Sequence, residues 1–200
     1  CCVTTGVGAV FNTARVEPGS SVAVFGCGGV GLSIVQGAAI SGAQPVIAID
    51  LKEERLDLAR ELGATHTVDA TREDAIRGIR DCTEGRGVDY AFEAIGNEET
   101  SSQAYRSIHW GGTCVMVGVP AANAKLTFDS RLIIQERTIK GSMYGSSNPR
   151  VDFLSLADLY SAGKLKLDPM VTRTFPLDRI NRAFDDLREG IGARSVITFS

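Results

Sequence analysis

The stretch Val22-Ala23-Val24-Phe25-Gly26-Cys27-Gly28-Gly29-Val30-Gly31 decides the fold. Its four apolar residues run without a polar break, as in a strand buried on both faces. A G-x-G-x-x-G turn follows at once and opens a helix. Gly26 allows the tight turn, Gly28 lets the backbone approach a diphosphate, and Gly31 lets the helix lie close on the strand. The helix start, at Gly29 and Val30, offers free N–H groups and a positive dipole end to phosphate. Taken alone, the turn is also compatible with an ordinary glycine-rich loop. The second apolar run, Val46-Ile47-Ala48-Ile49, ends in Asp50, 19 residues past Gly31. A carboxylate there accepts hydrogen bonds from both hydroxyls of an adenosine ribose and repels a 2′-phosphate, so the pair favours NAD over NADP. The plain alternative for Asp50 is a helix N-cap.

Outward from this unit the pattern repeats. Apolar runs at Asp89–Phe92 and Cys114–Val117 alternate with helical stretches at Val30–Ile40, Glu53–Leu62, Asp74–Cys82 and Glu98–Ile108. Strand then helix, repeated, predicts βαβ units and a doubly wound parallel sheet. After Pro120 the character changes. Leu132–Gly141 reads as a helix followed by a strand, and Gly145-Ser146-Ser147-Asn148-Pro149 as a loop. A helix near 151–162, a strand near 171–175, a helix near 177–188 and a strand at 195–199 complete the chain. The boundary is placed near Gly145, giving units 1–145 and 146–200. The second unit, at roughly 55 residues, is short for a core of its own.

Composition excludes several function classes. The 200 residues carry 44% hydrophobic and 22% charged side chains and a net charge of −3. That balance gives no basic footprint for nucleic acid, and no apolar run approaches the roughly 20 residues that span a membrane. The 5 cysteines are scattered without a C-x-x-C, which argues against a disulfide framework and for a reducing cytoplasm. His66 and His109 lack metal-ligand spacing to another His or Cys and read as structural or exposed. Glu53-Glu54, Glu98-Glu99 and Asp185-Asp186 read as solvated helix faces.

Further motifs stand in a fixed order: Cys1-Cys2-Val3-Thr4-Thr5-Gly6-Val7-Gly8-Ala9, the glycine turn, Glu61-Leu62-Gly63-Ala64-Thr65, Phe92-Glu93-Ala94-Ile95-Gly96, Val117-Gly118-Val119-Pro120 and Lys140-Gly141. In this combination the chain resembles the back half of zinc-dependent medium-chain alcohol dehydrogenases, including the formaldehyde-dehydrogenase-like branch. The resemblance implies an α/β fold: a doubly wound, parallel, six-stranded Rossmann sheet, with a C-terminal α+β tail that belongs to a catalytic domain lying mostly outside these residues. It implies hydride transfer between an alcohol or aldehyde and NAD, with zinc as a Lewis acid, and a homodimer or homotetramer.

The resemblance also assigns roles. Cys1 takes the place of a catalytic-zinc ligand, with a small buried apolar residue as its plain alternative. The other two ligands and the proton relay are expected outside the 200 residues, so this stretch alone is not expected to turn over alcohol. Arg55 stands near the adenosine ribose, or is an exposed helix cation. Ala94 and Ile95 line the passage between the two riboses, or are core. Val117 and Ser142 would offer carbonyls, and Tyr144 an N–H, to the nicotinamide carboxamide, with Gly118 and Val119 beside them. Thr5 and Val30 would pack on the nicotinamide ring. Arg194 reaches the diphosphate through its two-pronged fork, or is a surface arginine. Cys2 stands where the family often has glycine, and Cys27, inside the turn, suggests thiol sensitivity. Two other readings remain open: a zinc-free quinone or enoyl reductase, against which Cys1 and Asp50 speak, and a non-catalytic NAD-binding module.

Overall fold

The computed structural model describes residues 1–199. Strand β1 (Val22–Phe25) is followed by helix α2 (Gly29–Ile40), strand β2 (Val46–Asp50), helix α3 (Glu53–Glu61) and strand β3 (His66–Asp69). Helix α4 (Ala75–Asp81), strand β4 (Val88–Glu93), helix α5 (Glu98–Ser107), strand β5 (Ile108–Met116), the short helix α6 (Ser130–Ile133) and strand β6 (Thr138–Gly141) come next. All neighbouring strands pair in parallel, in the order β3-β2-β1-β4-β5-β6. The expected doubly wound, six-stranded sheet is therefore present.

β1, and β2 up to Asp50, are apolar and buried because each face of the sheet has its own core. Val22 and Val24 of β1 and Val46 and Ala48 of β2 enter one core with α2 and α3 residues such as Leu32, Val35 and Leu56. Their neighbours Ala23, Phe25, Ile47 and Ile49 enter the other, with Ile79 of α4 and Ala104 and Tyr105 of α5. β6 is unlike them. It ends the sheet, and all four of its residues are exposed.

Two elements were not read from the sequence. Helix α1 (Cys2–Gly8), continued by a π-helical segment at Ala9–Ala14, precedes the sheet, in a run rich in Val, Thr and Gly whose own helix propensity is low. Close packing holds it: a Cβ on Gly6 would lie 2.5 Å from Ser33 Cβ and from the Val30 carbonyl, so the glycine lets α1 and α2 touch. β5 starts at Ile108 rather than Cys114, and its register against β4 shifts between Val88 and Tyr90. The Gly111-Gly112 pair lies within the strand, so it is not the break that it suggests.

Beyond β6 the chain makes a left-handed turn. Tyr144 (φ 52°), Gly145 (φ 68°) and Ser146 (φ 49°) all lie in the left-handed region. The turn is wedged on α1: a Cβ on Gly145 would lie 2.5 Å from the Thr4 carbonyl, and one on Gly8 2.5 Å from the Gly145 carbonyl. Helix α7 (Pro149–Ser161) follows, then strand β7 (Val171–Pro176), helix α8 (Ile180–Arg188) and strand β8 (Arg194–Thr198). β7 and β8 form a separate two-stranded parallel sheet. The tail is fastened to α2 by Gln36, whose amide bonds the Lys166 carbonyl (3.1 Å) and N–H (2.7 Å). Leu165 and Met170 are buried beside it. α7 buries none of its residues. Among the described residues, no helix is long and apolar enough to cross a membrane.

Candidate functional site

The carboxyl ends of β1, β2 and β4 meet where the strand order reverses, the place where open parallel sheets bind ligands. Phe25, Gly26, Gly28, Asp50, Arg55, Ala94 and Ile95 line a crevice there of about 450 Å³. A second hollow of about 270 Å³ shares Gly28 and Arg55 with it and adds Gly29 and Arg194. Sequence reasoning brought these residues together, and the structure places them along one continuous groove.

The glycines divide the work. Gly26 has φ 92°, and a Cβ on it would lie 2.6 Å from Ile95 Cγ1. A Cβ on Gly31 would lie 1.7 Å from the Gly26 carbonyl, so helix and strand touch there with no room for a side chain. A Cβ on Gly28 would meet no protein atom within 4 Å. The space above Gly28 is open, and only a ligand stands to gain from its bareness. Gly29 lies under the Arg194 guanidinium, 2.6 Å from Nη2 to the position of a Cβ. A planar cation thus hangs over the N-terminus of α2, the arrangement that binds a diphosphate from both sides.

Asp50 is almost buried, with 8% exposure. Its Oδ2 accepts the Cys27 N–H at 2.7 Å, and its Oδ1 accepts the N–H groups of Leu51 (2.8 Å) and Lys52 (3.1 Å). Arg55 Nη1 stands 3.8 Å from Oδ2. A carboxylate has about four acceptor sites. Three backbone donors already use most of them, so Asp50 first ties the glycine turn to the tip of β2 and has little more than one site left for a sugar hydroxyl. Arg55 donates from Nη2 to the Gly190 carbonyl (2.7 Å), and its buried Nε has no partner. Arg55 itself lines both hollows.

A second carboxylate, Glu93, was not anticipated. It is 1% exposed at the end of β4. Its Oε1 accepts the N–H groups of Ile95 and Gly96, both at 2.9 Å, and the Thr100 hydroxyl at 2.7 Å. It shapes the Ala94–Gly96 turn as Asp50 shapes the glycine turn. The signal was present: an acid ending an apolar strand, with a glycine three residues on. Its carbonyl also accepts the N–H groups of Val117 and Gly118, each at 2.9 Å.

Thr5, Val30, Val117, Val119, Ser142 and Tyr144 line neither hollow. Val117 is 8% exposed and Val119 88%. Ser142 donates its N–H to the Met116 carbonyl (2.9 Å), and its hydroxyl pairs with Thr13 (2.8 Å). Val30 reaches α1 through Gly6. Cys27 is fully buried, and burial pushes its thiol far above the usual range, with Asp50 adding to the effect. The thiol sensitivity suggested by the sequence therefore does not hold for Cys27. Cys1 is exposed just before α1. Among the described residues, no group of three His, Cys, Asp or Glu is placed to hold a metal ion. A catalytic zinc takes three protein ligands, so the residues present do not by themselves fit one.

The comparisons agree with this geometry. The family described as zinc-binding dehydrogenase matches residues 29–161. The probable S-(hydroxymethyl)glutathione dehydrogenase 1 of Schizosaccharomyces pombe is 42% identical over 98% of this chain and 52% of its own length. Alcohol dehydrogenase 1 of Pisum sativum is 38% identical over 98% of this chain and 52% of its own. The crystal structure of benzyl alcohol dehydrogenase from Acinetobacter calcoaceticus superposes with a TM-score of 0.96 at 35% identity, over all of this chain and 55% of that one. The chain spans about half the length of the curated relatives it matches.

Proposed function

Because the chain belongs to the zinc-binding dehydrogenase family, we propose that it binds NAD along the Gly28–Asp50 groove and serves an oxidoreductase that passes hydride between an alcohol and an aldehyde. The observation that carries this reading is the open space over Gly28, framed by Arg194 on one side and the Asp50 carboxylate on the other. Bound NAD supplies the hydride acceptor at its nicotinamide. The chain's own residues bind and orient. The α2 N-terminus and Arg194 hold the diphosphate, and Asp50 with Arg55 holds the adenosine ribose. Ala94 and Ile95 line the path between them. Thr5, Val30, Val117, Gly118, Val119, Ser142 and Tyr144 are assigned to the nicotinamide half.

Zinc dependence belongs to the same proposal but rests on family likeness. Cys1 is the ligand this stretch would contribute, and two more are needed. Small alcohols and aldehydes are the substrate class. The unit boundary near Gly145 is retained as part of the reading, supported by the separate β7–β8 sheet. So is a cytoplasmic location, supported by 5 cysteines that are all unpaired. A homodimer or homotetramer is proposed through the exposed edge strand β6.

Titration followed by NADH fluorescence tests the coenzyme assignment. NADH should bind at least about tenfold more tightly than NADPH, since a 2′-phosphate would face the Asp50 carboxylate. Equal affinities would refute it.

A further inference from the structure

Lys52 stands two residues after Asp50, between the carboxylate and the ribose-side Arg55. Its side chain turns toward the tail. Nζ donates to the carbonyls of Glu189 (2.5 Å) and Gly190 (2.9 Å), which close the C-terminal end of α8. Arg55 donates to the same Gly190 carbonyl. The end of a helix carries partial negative charge and unpaired carbonyls, so two cations there make a strong fastening.

The fastened point lies four residues before Arg194. The loop between is narrowly determined. Gly190 and Gly192 take φ 65° and 68°. The Ile191 N–H donates to the Asp186 carbonyl (2.8 Å). Thr172 Oγ1 accepts the N–H groups of Ala193 (3.0 Å) and Arg194 (3.4 Å). The loop is thus gripped by the start of α3 on one side and by β7 on the other. Arg194 leaves it directly over Gly29.

We propose that Lys52 is a positioning residue that acts on the coenzyme through Arg194: it holds the 189–194 loop so that the guanidinium lies over the diphosphate. This rests on the coenzyme reading above. It assigns Lys52 to the tail rather than to the sugar, and it makes the ribose end of the groove and the arginine over the phosphates parts of one mechanical unit.

The test uses the full chain and the variants Lys52→Met, Lys52→Arg, Arg194→Ala and Lys52→Met with Arg194→Ala. Two quantities are measured: the NADH dissociation constant by fluorescence, and amide exchange at Ile191, Ala193 and Arg194 without coenzyme. Lys52→Met should speed exchange at these amides and weaken NADH on the order of tenfold. Lys52→Arg, which keeps the donors, should restore both. The double variant should bind NADH within about twofold of Arg194→Ala alone, because both changes disable one device. Losses that multiply would show Lys52 touching the coenzyme directly and would overturn the proposal, as would unchanged exchange in Lys52→Met. A wild-type chain that binds no NADH, while exchange still responds to Lys52→Met, would instead overturn the coenzyme reading and leave Lys52 a tether without that purpose.

Discussion

Gly28 and Gly31 lie three residues apart and look equivalent in the sequence, yet they answer to different constraints. Gly31→Ala forces a Cβ against the Gly26 carbonyl. It should cost at least about 2 kcal/mol in denaturant unfolding, since a helix and a strand must separate. Gly28→Ala meets only empty space. It should leave the unfolding midpoint nearly unchanged while weakening NADH by about tenfold or more. A pair of variants that lost stability equally would contradict this division. The candidate roles of the glycines and Asp50 were legible from spacing, and that of Arg194 only from the resemblance. What Asp50 does first was not. Spacing says that a carboxylate stands at the strand tip, but not that three backbone N–H groups already occupy it. Glu93 escaped notice for a related reason. A lone acid reads as exposed, and only the fold shows the amides that turn toward it.

Among the elements, β1, β2, β4 and the later part of β5, with the helices between them, were readable because apolar runs alternate with helical stretches. α1 was not, because its helicity comes from contact with α2 rather than from its own residues. The start of β5 was hidden by its glycine pair, and it carries a partner that the sequence does not announce. His109 in β5 pairs through Nε2 with Asp89 Oδ1 of β4 at 2.7 Å, and Asp89 Oδ2 accepts the Ser21 N–H (2.7 Å) and hydroxyl (2.6 Å) just before β1. One carboxylate therefore ties three strands at their amino ends. Burial opposes its charge, but the hydrogen bonds from His109 and Ser21 outweigh that and hold Asp89 below the usual carboxylate range. A lowered folded-state pKa gives stability that is present above the unfolded value and lost as pH falls through the folded one. Asp89→Asn should therefore be less stable than wild type near neutrality. The gap should close as pH drops below about 4, which denaturant midpoints across that range will show. A gap independent of pH would argue against an ionic role.

At the scale of the molecule, the exposed apolar surface is concentrated at the β6 edge and on the tail. Ile139 and Met143, at 38% and 87% exposure, stand on or beside β6. An unprotected edge strand invites pairing with another copy. Sedimentation of Ile139→Lys with Met143→Lys should show a smaller species than wild type, with unchanged circular dichroism; identical sedimentation would exclude this edge as the interface. The tail elements were foreseen in type and rough position, but their fastening through Gln36, Lys52 and Arg55 was not, since it joins residues more than a hundred positions apart. The turn at Tyr144–Ser146 carries a further consequence. Coiling three residues against the preferred hand costs roughly 1 kcal/mol or more at each non-glycine position, and the turn persists because α1 fits it without a gap. Such a join tolerates no change of length: one serine inserted after Gly145 would rotate everything downstream and dislodge the first helix with it. The same insertion after Ala122, in an exposed turn held by one backbone hydrogen bond, should pass nearly unnoticed in a thermal melt.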